Sequence, residues 1–443
     1  MTIYALSSGP GISGIAVTRV SGNKSEDILK SITSGKFPKE RVATLKKIKD
    51  PETRELIDEG IVLWFKGPNS YTGEDMVELH THGSKAVVNK IQDILEKING
   101  CRIAEPGEFT KLAFQNKKIN LLEAESIGDL IAAETEMQRQ QALRIMSGAS
   151  AKKFNFWREE LIKMLAEIEA KIDFPDEDLP TDISQTLQLN VEKIGKEIEK
   201  TLDDEKIGEI IREGFKVAII GPPNVGKSSL LNYLSKREAA IVSEKAGTTR
   251  DIVEVHLDIL GIPIIISDTA GIRETNNEIE TRGVKLAISR AEDADLNIIL
   301  LEPKNLDFKG FFNTQVVDKS IIVINKSDLG VNSLAGLETN VEPIIISIKE
   351  NKNLNILIDQ IKNKLKKQFL KNENVLITRS RHRHHLNECH KHLNRFLEKK
   401  NNDDYDKAAE DLRLSIRHIG TIVGRVDVEE ILGSIFENFC IGK

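Results

Sequence analysis

The chain has 443 residues, 40% hydrophobic and 30% charged, with a net charge of −6. Ordinary packed cores in two to four domains of about 150 residues each follow from this, and a globally basic nucleic-acid binder is excluded, so any RNA contact has to come from a local patch. Three cysteines (Cys101, Cys389, Cys440) make no disulfide framework, no run of about 18 apolar residues offers a membrane span, and the start resembles neither a signal nor a transit peptide, so a cytoplasmic location is expected.

Residues 1–118 mix short strand-like runs with turns. Gly14–Ser21 and Asp75–His82 read as strands, and Gly9-Pro10-Gly11, Gly67-Pro68-Asn69 and Pro106-Gly107 as turns, which predicts a small α+β module. Over 119–212 the texture becomes helical: Leu121, Ala124, Ile127 and Ile131, then Leu161, Leu165, Ile168 and Ile172, each mark one face. Pro175 disfavours continuation of the second helix. Helical texture returns over 371–443, so an α-helical domain is expected to be split by an insert at 213–370. The insert reads α/β, with apolar runs at Phe215–Ile220, Ile262–Ser267, Leu296–Leu301, Ser320–Ile324 and Pro343–Ser347, as a parallel sheet buried on both faces requires. The Lys/Asn-rich stretch 361–374 suits a linker.

The insert carries an ordered set of nucleotide loops. Gly221-Pro-Pro-Asn224-Val225-Gly226-Lys227-Ser228 follows the first apolar run and opens the apolar-faced segment that begins at Ser229, the strand–loop–helix context of a P-loop. Its backbone N–H groups and helix N-terminus suit phosphates, Lys227 the β- and γ-phosphate charge, and the Ser228 hydroxyl Mg²⁺. Gly247-Thr248-Thr249 suits a switch that closes over the γ-phosphate and magnesium, with Thr249 the magnesium ligand. Asp268-Thr269-Ala270-Gly271 ends the second run, where the carboxylate meets magnesium through water and Gly271 approaches the γ-phosphate. Asn325-Lys326-Ser327-Asp328 selects guanine, because a carboxylate accepts from N1–H and the exocyclic amine and adenine offers no such pair of donors. Ser347-Ile348-Lys349 stands where a last base-contacting loop belongs, and departs from the usual Ser-Ala-Lys at its centre. Ile272 occupies the position where Ras-like enzymes orient water with Gln, so hydrolysis is feeble unless another residue or a cation compensates. Glu274, Glu278 and Glu280 follow shortly.

These loops, the split helical domain and the ending Cys440-Ile441-Gly442-Lys443 together resemble the tRNA-modifying GTPase family MnmE/TrmE. Gly67–Asp75, Pro106–Phe109, Asp173–Glu177 and Arg237–Val242 carry the same resemblance, which spans essentially the whole chain. It implies an N-terminal folate-binding and dimerisation domain and a Ras-like G domain. It also implies a homodimer, and a heterotetramer with a flavin- and NADH-dependent protein called MnmG or GidA. The implied reaction adds an aminomethyl or carboxymethylaminomethyl group to carbon 5 of the tRNA wobble uridine, using a tetrahydrofolate one-carbon unit (5-formyl or 5,10-methylene).

By resemblance, K⁺ is held by Asn224, Ser243, Lys245 and Thr248, in a potassium-enclosing segment whose Glu244, Ala246 and Gly247 also line GTP. Two of these positions differ in side chain from the family's usual Thr and Ile, which is harmless where backbone carbonyls ligate. Glu280 matches the acid that orients the attacking water and Arg273 a neighbouring switch residue, filling the gap at Ile272. Arg19, Glu78, Lys118 and Lys443 match the folate positions: a pterin offers donors to Glu78, and its glutamate tail suits Arg19 or Lys118. Cys440 is either a nucleophile in the modification or a small buried residue, the commoner fate of a cysteine.

Two constellations stand outside this. His385, Cys389 and His392, with His382, have zinc spacing, but the interleaved Arg379, Arg381, Arg383, Lys391 and Arg395 disfavour a metal, and a basic helix, solvated or facing tRNA, is the expected reading. His80 and His82 alternate on a strand as a satisfied structural pair. The motifs also fit a regulatory GTPase acting on a ribosome or other partner, and a folate-binding scaffold whose G domain is a conformational clock. The folate positions and the Cys-Ile-Gly-Lys end favour modification over the regulatory reading.

Overall fold

The computed structural model describes residues 1–173, 183–237, 239–241, 254–268, 289–306, 319–330, 342–369, 375–399, 405–426, 432, 435–436 and 439–442. It forms two compact units, Met1–Gly128 with Ile145–Ile183 and Arg395–Lys443, and Asp129–Arg144 with Ser184–Asn394.

The first unit holds a six-stranded sheet built from β1 (Thr2–Leu6), β2 (Ser13–Ser21), β3 (Thr44–Lys49), β4 (Leu56–Phe65), β5 (Met76–Gly83) and β6 (Cys101–Ile103), in the order β3-β4-β5-β2-β1-β6. Strand pairing is antiparallel except for β1 with β6. Alternation sends Tyr4, Val20, Ile48, Val62, Val77 and Leu79 to one face, where α1 (Ser25–Ile32) and α2 (Lys85–Lys97) cover them with Ile28, Leu29, Ile91 and Leu95. Ser84 caps α2 by accepting from the Val87 N–H at 3.2 Å, a contact worth about 1 kcal/mol. On the other face Phe109 of α3 (Glu108–Gln115) packs with Ile3, Ala5 and Ala104. α4 (Leu121–Ile131) contributes Leu121 and Ala124 to a cluster with Leu432, Ile435 and Phe436. The long α6 (Ala149–Asp173), which follows α5 (Glu136–Met146), lies along the helix Tyr405–Val423.

The second unit holds α7 (Ile183–Leu202), α8 (Ile207–Glu213) and a seven-stranded sheet of β7 (Phe215–Ile220), β8 (Ala239–Ile241), β9 (Glu254–Ile259), β10 (Ile262–Asp268), β11 (Leu296–Leu301), β12 (Ser320–Ile324) and β13 (Ile344–Ile345), in the order β13-β12-β11-β7-β10-β9-β8. β13, β12, β11, β7 and β10 run parallel, and β9 and β8 extend the sheet antiparallel. The apolar runs are thus strands of a parallel sheet, flanked by α9 (Lys227–Arg237) and α10 (Leu354–Phe369). The 361–374 stretch is not a linker as far as Phe369. Ile361, Leu365 and Phe369 recur every fourth residue and are buried in the sheet's core, while Lys366 and Lys367 are exposed. α11 (Ser380–Glu398) and α12 (Tyr405–Val423) complete the helical elements used below. No described helix is long and apolar enough to cross a membrane.

Candidate functional site: a nucleotide edge and a charged sheet face

In an open parallel sheet, ligands bind beyond the carboxyl ends of the strands. Here β7, β10, β12 and β13 end at Ile220, Asp268, Ile324 and Ile345, so the loops that begin at Gly221, Asp268, Asn325 and Ser347 emerge on one edge. The P-loop is held from inside. Val225 is buried, and Lys227, 7% exposed, donates to the carbonyls of Gly221 at 2.8 Å and Pro222 at 2.9 Å. Gly226 has φ +108°, and a Cβ there would lie 2.5 Å from Asn325 Nδ2, so only glycine fits. Asn224 sits exposed at the loop's tip with φ 60°, a left-handed conformation that Asn tolerates better than most residues. Ser228 and Ser229 are exposed at the first turn of α9.

Buried Asn325 joins three loops. Its Nδ2 donates to the Val225 carbonyl at 2.8 Å and its Oδ1 accepts from the Ile348 N–H at 3.1 Å. Ser347 is also buried, and its hydroxyl donates to Asp328 Oδ1 at 2.7 Å. That hydroxyl, ahead of the nearby Lys349 and Lys326 cations, holds the Asp328 carboxyl below its ordinary value. Asp328 is half-buried. Lys326, at φ 62°, pairs with Glu302 Oε2 at 2.7 Å. Ile348 accounts for the departure from Ser-Ala-Lys: its N–H serves Asn325 and its side chain packs against the core. Glu302 was missed in the sequence, where its only signal is an acid placed just after a strand end.

Asp268 ends β10. Ser243, Glu244, Lys245, Ala246, Gly247, Thr248, Thr249, Thr269, Ala270, Gly271, Ile272, Arg273, Glu280 and Lys443 lie outside the described residues.

The folate positions converge in part. Arg19 and Glu78 face each other in register across β2 and β5, and Arg19 donates through Nη2 at 2.8 Å and Nε at 3.1 Å to Glu78 Oε1. His80 Nε2 lies 3.3 Å from Glu78 Oε2, so acid and cation are partnered with each other and only partly accessible. The Arg19 guanidinium lies over the rings of Tyr71 and Phe109, 5.3 and 5.6 Å from their centroids, so the Gly67–Asp75 and Pro106–Phe109 motifs each give it a ring. Burial pushes the Tyr71 phenol up. Lys118 donates to the Pro68 carbonyl at 2.9 Å, on the same loop.

The chain's end is threaded onto this module. Ile441 bridges Pro106, the Gly107 N–H donates to the Cys440 carbonyl at 3.4 Å, and the Ser7 hydroxyl donates to the Gly442 carbonyl at 2.8 Å. Cys440 is exposed, so the small buried residue is the wrong reading of it. None of the three cysteines is in a disulfide.

The histidine helix α11 differs from expectation. Among the described residues no group of His, Cys, Asp and Glu is placed to hold a metal. Arg383 of the helix is taken by the internal acids Asp204 and, at 2.8 Å, Glu209, and Arg379 just before it by Asp129 at 2.7 Å, so neither adds to a free basic face. His82 is held by Asp58 at 2.9 Å, as a satisfied strand histidine.

Two family models match: the MnmE helical domain over residues 121–440 and the GTP-binding protein TrmE N-terminus over 2–118. The tRNA modification GTPase MnmE of Pelagibacter ubique is 60% identical over all of both chains. The chain belongs to the MnmE/TrmE family of tRNA modification GTPases. Its Rickettsia bellii counterpart is 46% identical, again over all of both chains. Aquifex aeolicus Era bound to GDP and aluminium fluoride is 29% identical over 33% of this chain and 56% of its own, with a TM-score of 0.26, too low to weigh. Membership makes the nucleotide edge that of a GTP hydrolase with a P-loop fold, and GTP with magnesium its ligand.

Proposed function

We propose that this GTPase hydrolyses GTP with a K⁺ ion in place of an arginine finger. With a flavin-dependent partner of the MnmG/GidA kind, it adds an aminomethyl or carboxymethylaminomethyl group to carbon 5 of the tRNA wobble uridine, using a tetrahydrofolate one-carbon unit. The observation that carries the modification half is the exposed Cys440, held on the N-terminal module by Gly107 and flanked by the Ile441 and Gly442 anchors. α3 runs from Gly107 under the Arg19 guanidinium through Phe109, which joins the tail to the charged sheet face.

In this reading Asn224, Ser243, Lys245 and Thr248 hold K⁺, and Ser228 and Thr249 hold Mg²⁺. Lys227 neutralises phosphate charge, Glu280 orients water beside Arg273, and Asp328 and Asn325 read and frame guanine. The Arg19–Glu78 pair with Lys118 and Lys443 takes the folate, and Cys440 acts near it. The proposed domains are 1–118, 119–212, 213–370 and 371–443, in a cytoplasmic protein. A homodimer through the N-terminal sheet is supported by Leu45 and Ile61, opposite each other on β3 and β4 and 66% and 43% exposed.

Analysis of tRNA nucleosides after deletion of the gene tests the function: loss of the modified wobble uridine is expected, and unchanged wobble uridines overturn it in favour of a regulatory GTPase. GTP hydrolysis faster in K⁺ than in Na⁺, with the difference lost in Asn224→Ala, is expected for the mechanism. Equal rates in the two salts remove the cation, and a normal rate in Glu280→Ala removes its water-orienting role.

A further inference from the structure

A basic corner lies within the first unit. Arg158, on α6, is half-buried, and its Nε is buried with no hydrogen-bond partner. It lies beside Gly420, where a Cβ would meet that Nε at 3.6 Å, an ordinary contact. The next cation is Arg425, exposed on the turn after α12 and tied by its N–H to the Gly420 carbonyl at 2.8 Å. Burial first, then the charge of Arg425, holds the Arg158 guanidinium below its ordinary pKa, outweighing the adjacent Glu159. The turn is fixed. A Cβ on Gly424 would lie 2.7 Å from Leu121 Cβ and 2.8 Å from the Phe114 ring, so it is seated against the end of α3. Three and four residues beyond Phe114 come Lys117 and Lys118, both exposed, the ammonium of the latter meeting the Pro68 carbonyl.

Among the described residues no carboxylate is bonded to either guanidinium, an arrangement that a bridging anion relieves, and their planar forks match phosphate oxygens. In a chain of net charge −6, such a corner is a local exception. We propose that Arg158 and Arg425, with Lys117 and Lys118, form a docking surface for the tRNA phosphate backbone. The proposal rests on the modification of tRNA at the tail.

The corner lies within a few nucleotides of the tail. α3 has eight residues, with Gly107 at one end bonded to Cys440 and Phe114 near the other seated on the Arg425 turn. At 1.5 Å per residue that is about 12 Å. A nucleic-acid strand rising about 3.4 Å per nucleotide covers it in three or four nucleotides. Phosphates on the same strand as a base presented to Cys440 therefore reach the corner.

The test is equilibrium binding of a fluorescent tRNA with a wobble uridine to the full-length protein across a NaCl series. Arg158→Gln/Arg425→Gln is expected to lose about tenfold or more in affinity, and its log K against log salt to flatten by about 1.4, from two contacts at about 0.7 each. Arg158→Lys keeps a charge and is expected to retain most of the slope. Arg425→Glu, on an exposed turn where folding is not at issue, is expected to lose most. Lys163→Gln on the same helix, whose lysine is already paired with Glu160 at 2.6 Å, is expected to match the unmutated protein. GTP hydrolysis without tRNA is expected to be unchanged throughout. An unmutated slope in both the double variant and Arg425→Glu overturns the surface while leaving tRNA modification standing, and loss of affinity for an acidic peptide alone assigns the corner to a protein and also overturns it. If the unmutated protein fails to bind tRNA, the surface and the reading beneath it fall together.

Discussion

The nucleotide edge and the charged sheet face are built in opposite ways. At the nucleotide edge each loop is a short contiguous stretch that follows its own buried strand, and the fold only has to bring the carboxyl ends of those strands together. The sheet face takes Arg19 from β2, Glu78 from β5, Phe109 from α3 and Cys440 from the last residues of the chain. A site of the first kind carries its chemistry in each motif. A site of the second kind exists only after folding, so it is more exposed to changes in packing far from the chemistry.

The largest effect that probes this contrast is expected at Asp328. On the proposed reading, Asp328→Asn removes the acceptor for two guanine donors and is expected to leave the fold intact, because the residue is half-buried and its partner is a hydroxyl that bonds equally to an amide oxygen. GTP affinity is expected to fall about a thousandfold, measured by displacement of a fluorescent nucleotide. Xanthosine triphosphate, which offers a carbonyl where guanine offers the amine, is expected to bind the variant better than GTP does. A variant that keeps GTP affinity would show that the base is read elsewhere.

Asn325→Ala comes next and works through packing. It deletes the donor to the buried Val225 carbonyl and frees the Ile348 N–H. An unsatisfied buried group costs about 1–3 kcal/mol, so a lowered melting temperature is expected together with GTP affinity weakened about tenfold to a hundredfold. If stability falls and affinity does not, Asn325 is only a strut, and the three loops are not coupled through it.

The contrast in construction explains what was legible. The parallel strands were visible because a strand buried on both faces is an unbroken apolar run, and the runs at 215–220, 296–301 and 320–324 coincide with β7, β11 and β12. In the N-terminal module β2 and β5 could be read, but β3 and β4 could not. There Lys46 is buried, donating to the Ser34 carbonyl at 3.2 Å, while Leu45 and Ile61 are exposed, so the alternation is inverted where it should be clearest. Arg383 of α11 and Arg379 just before it looked like part of a solvated basic face because their acids, Asp129, Asp204 and Glu209, stand about 170 residues or more away in sequence. Nothing local to Arg19 or Glu78 marks them either, and only the family resemblance singled them out.

Gly442→Ala tests the sheet face alone. Gly442 has φ +96°, and a Cβ would lie 2.3 Å from the Leu6 carbonyl oxygen, so the tail has to leave its seat between Ser7 and Pro106. Modification of tRNA is expected to drop about tenfold in the reconstituted reaction, with GTP affinity and basal hydrolysis unchanged. Unimpaired modification would mean that the seated tail plays no part in the chemistry.

The smallest effect is expected at Ser347. Its hydroxyl holds the Asp328 carboxyl below its ordinary value, so the carboxylate's contribution to guanine binding is present above the usual carboxylate range and lost only as pH falls through the lowered value. GTP affinity limited by this group is therefore flat from about pH 5 to about pH 8. Ser347→Ala removes the donor. At neutral pH the cost is one hydrogen bond that orients the acid, about fivefold in affinity. On the acid side the loss of binding is expected to begin at a higher pH than in the unmutated protein, because the carboxyl returns toward its ordinary value. Fluorescent-nucleotide titrations at stepped pH read both changes. An acid limb that does not move while affinity drops at neutral pH would mean that Ser347 positions the loop through its backbone bonds to Lys352, at 2.9 and 3.2 Å, and not the charge that reads the base.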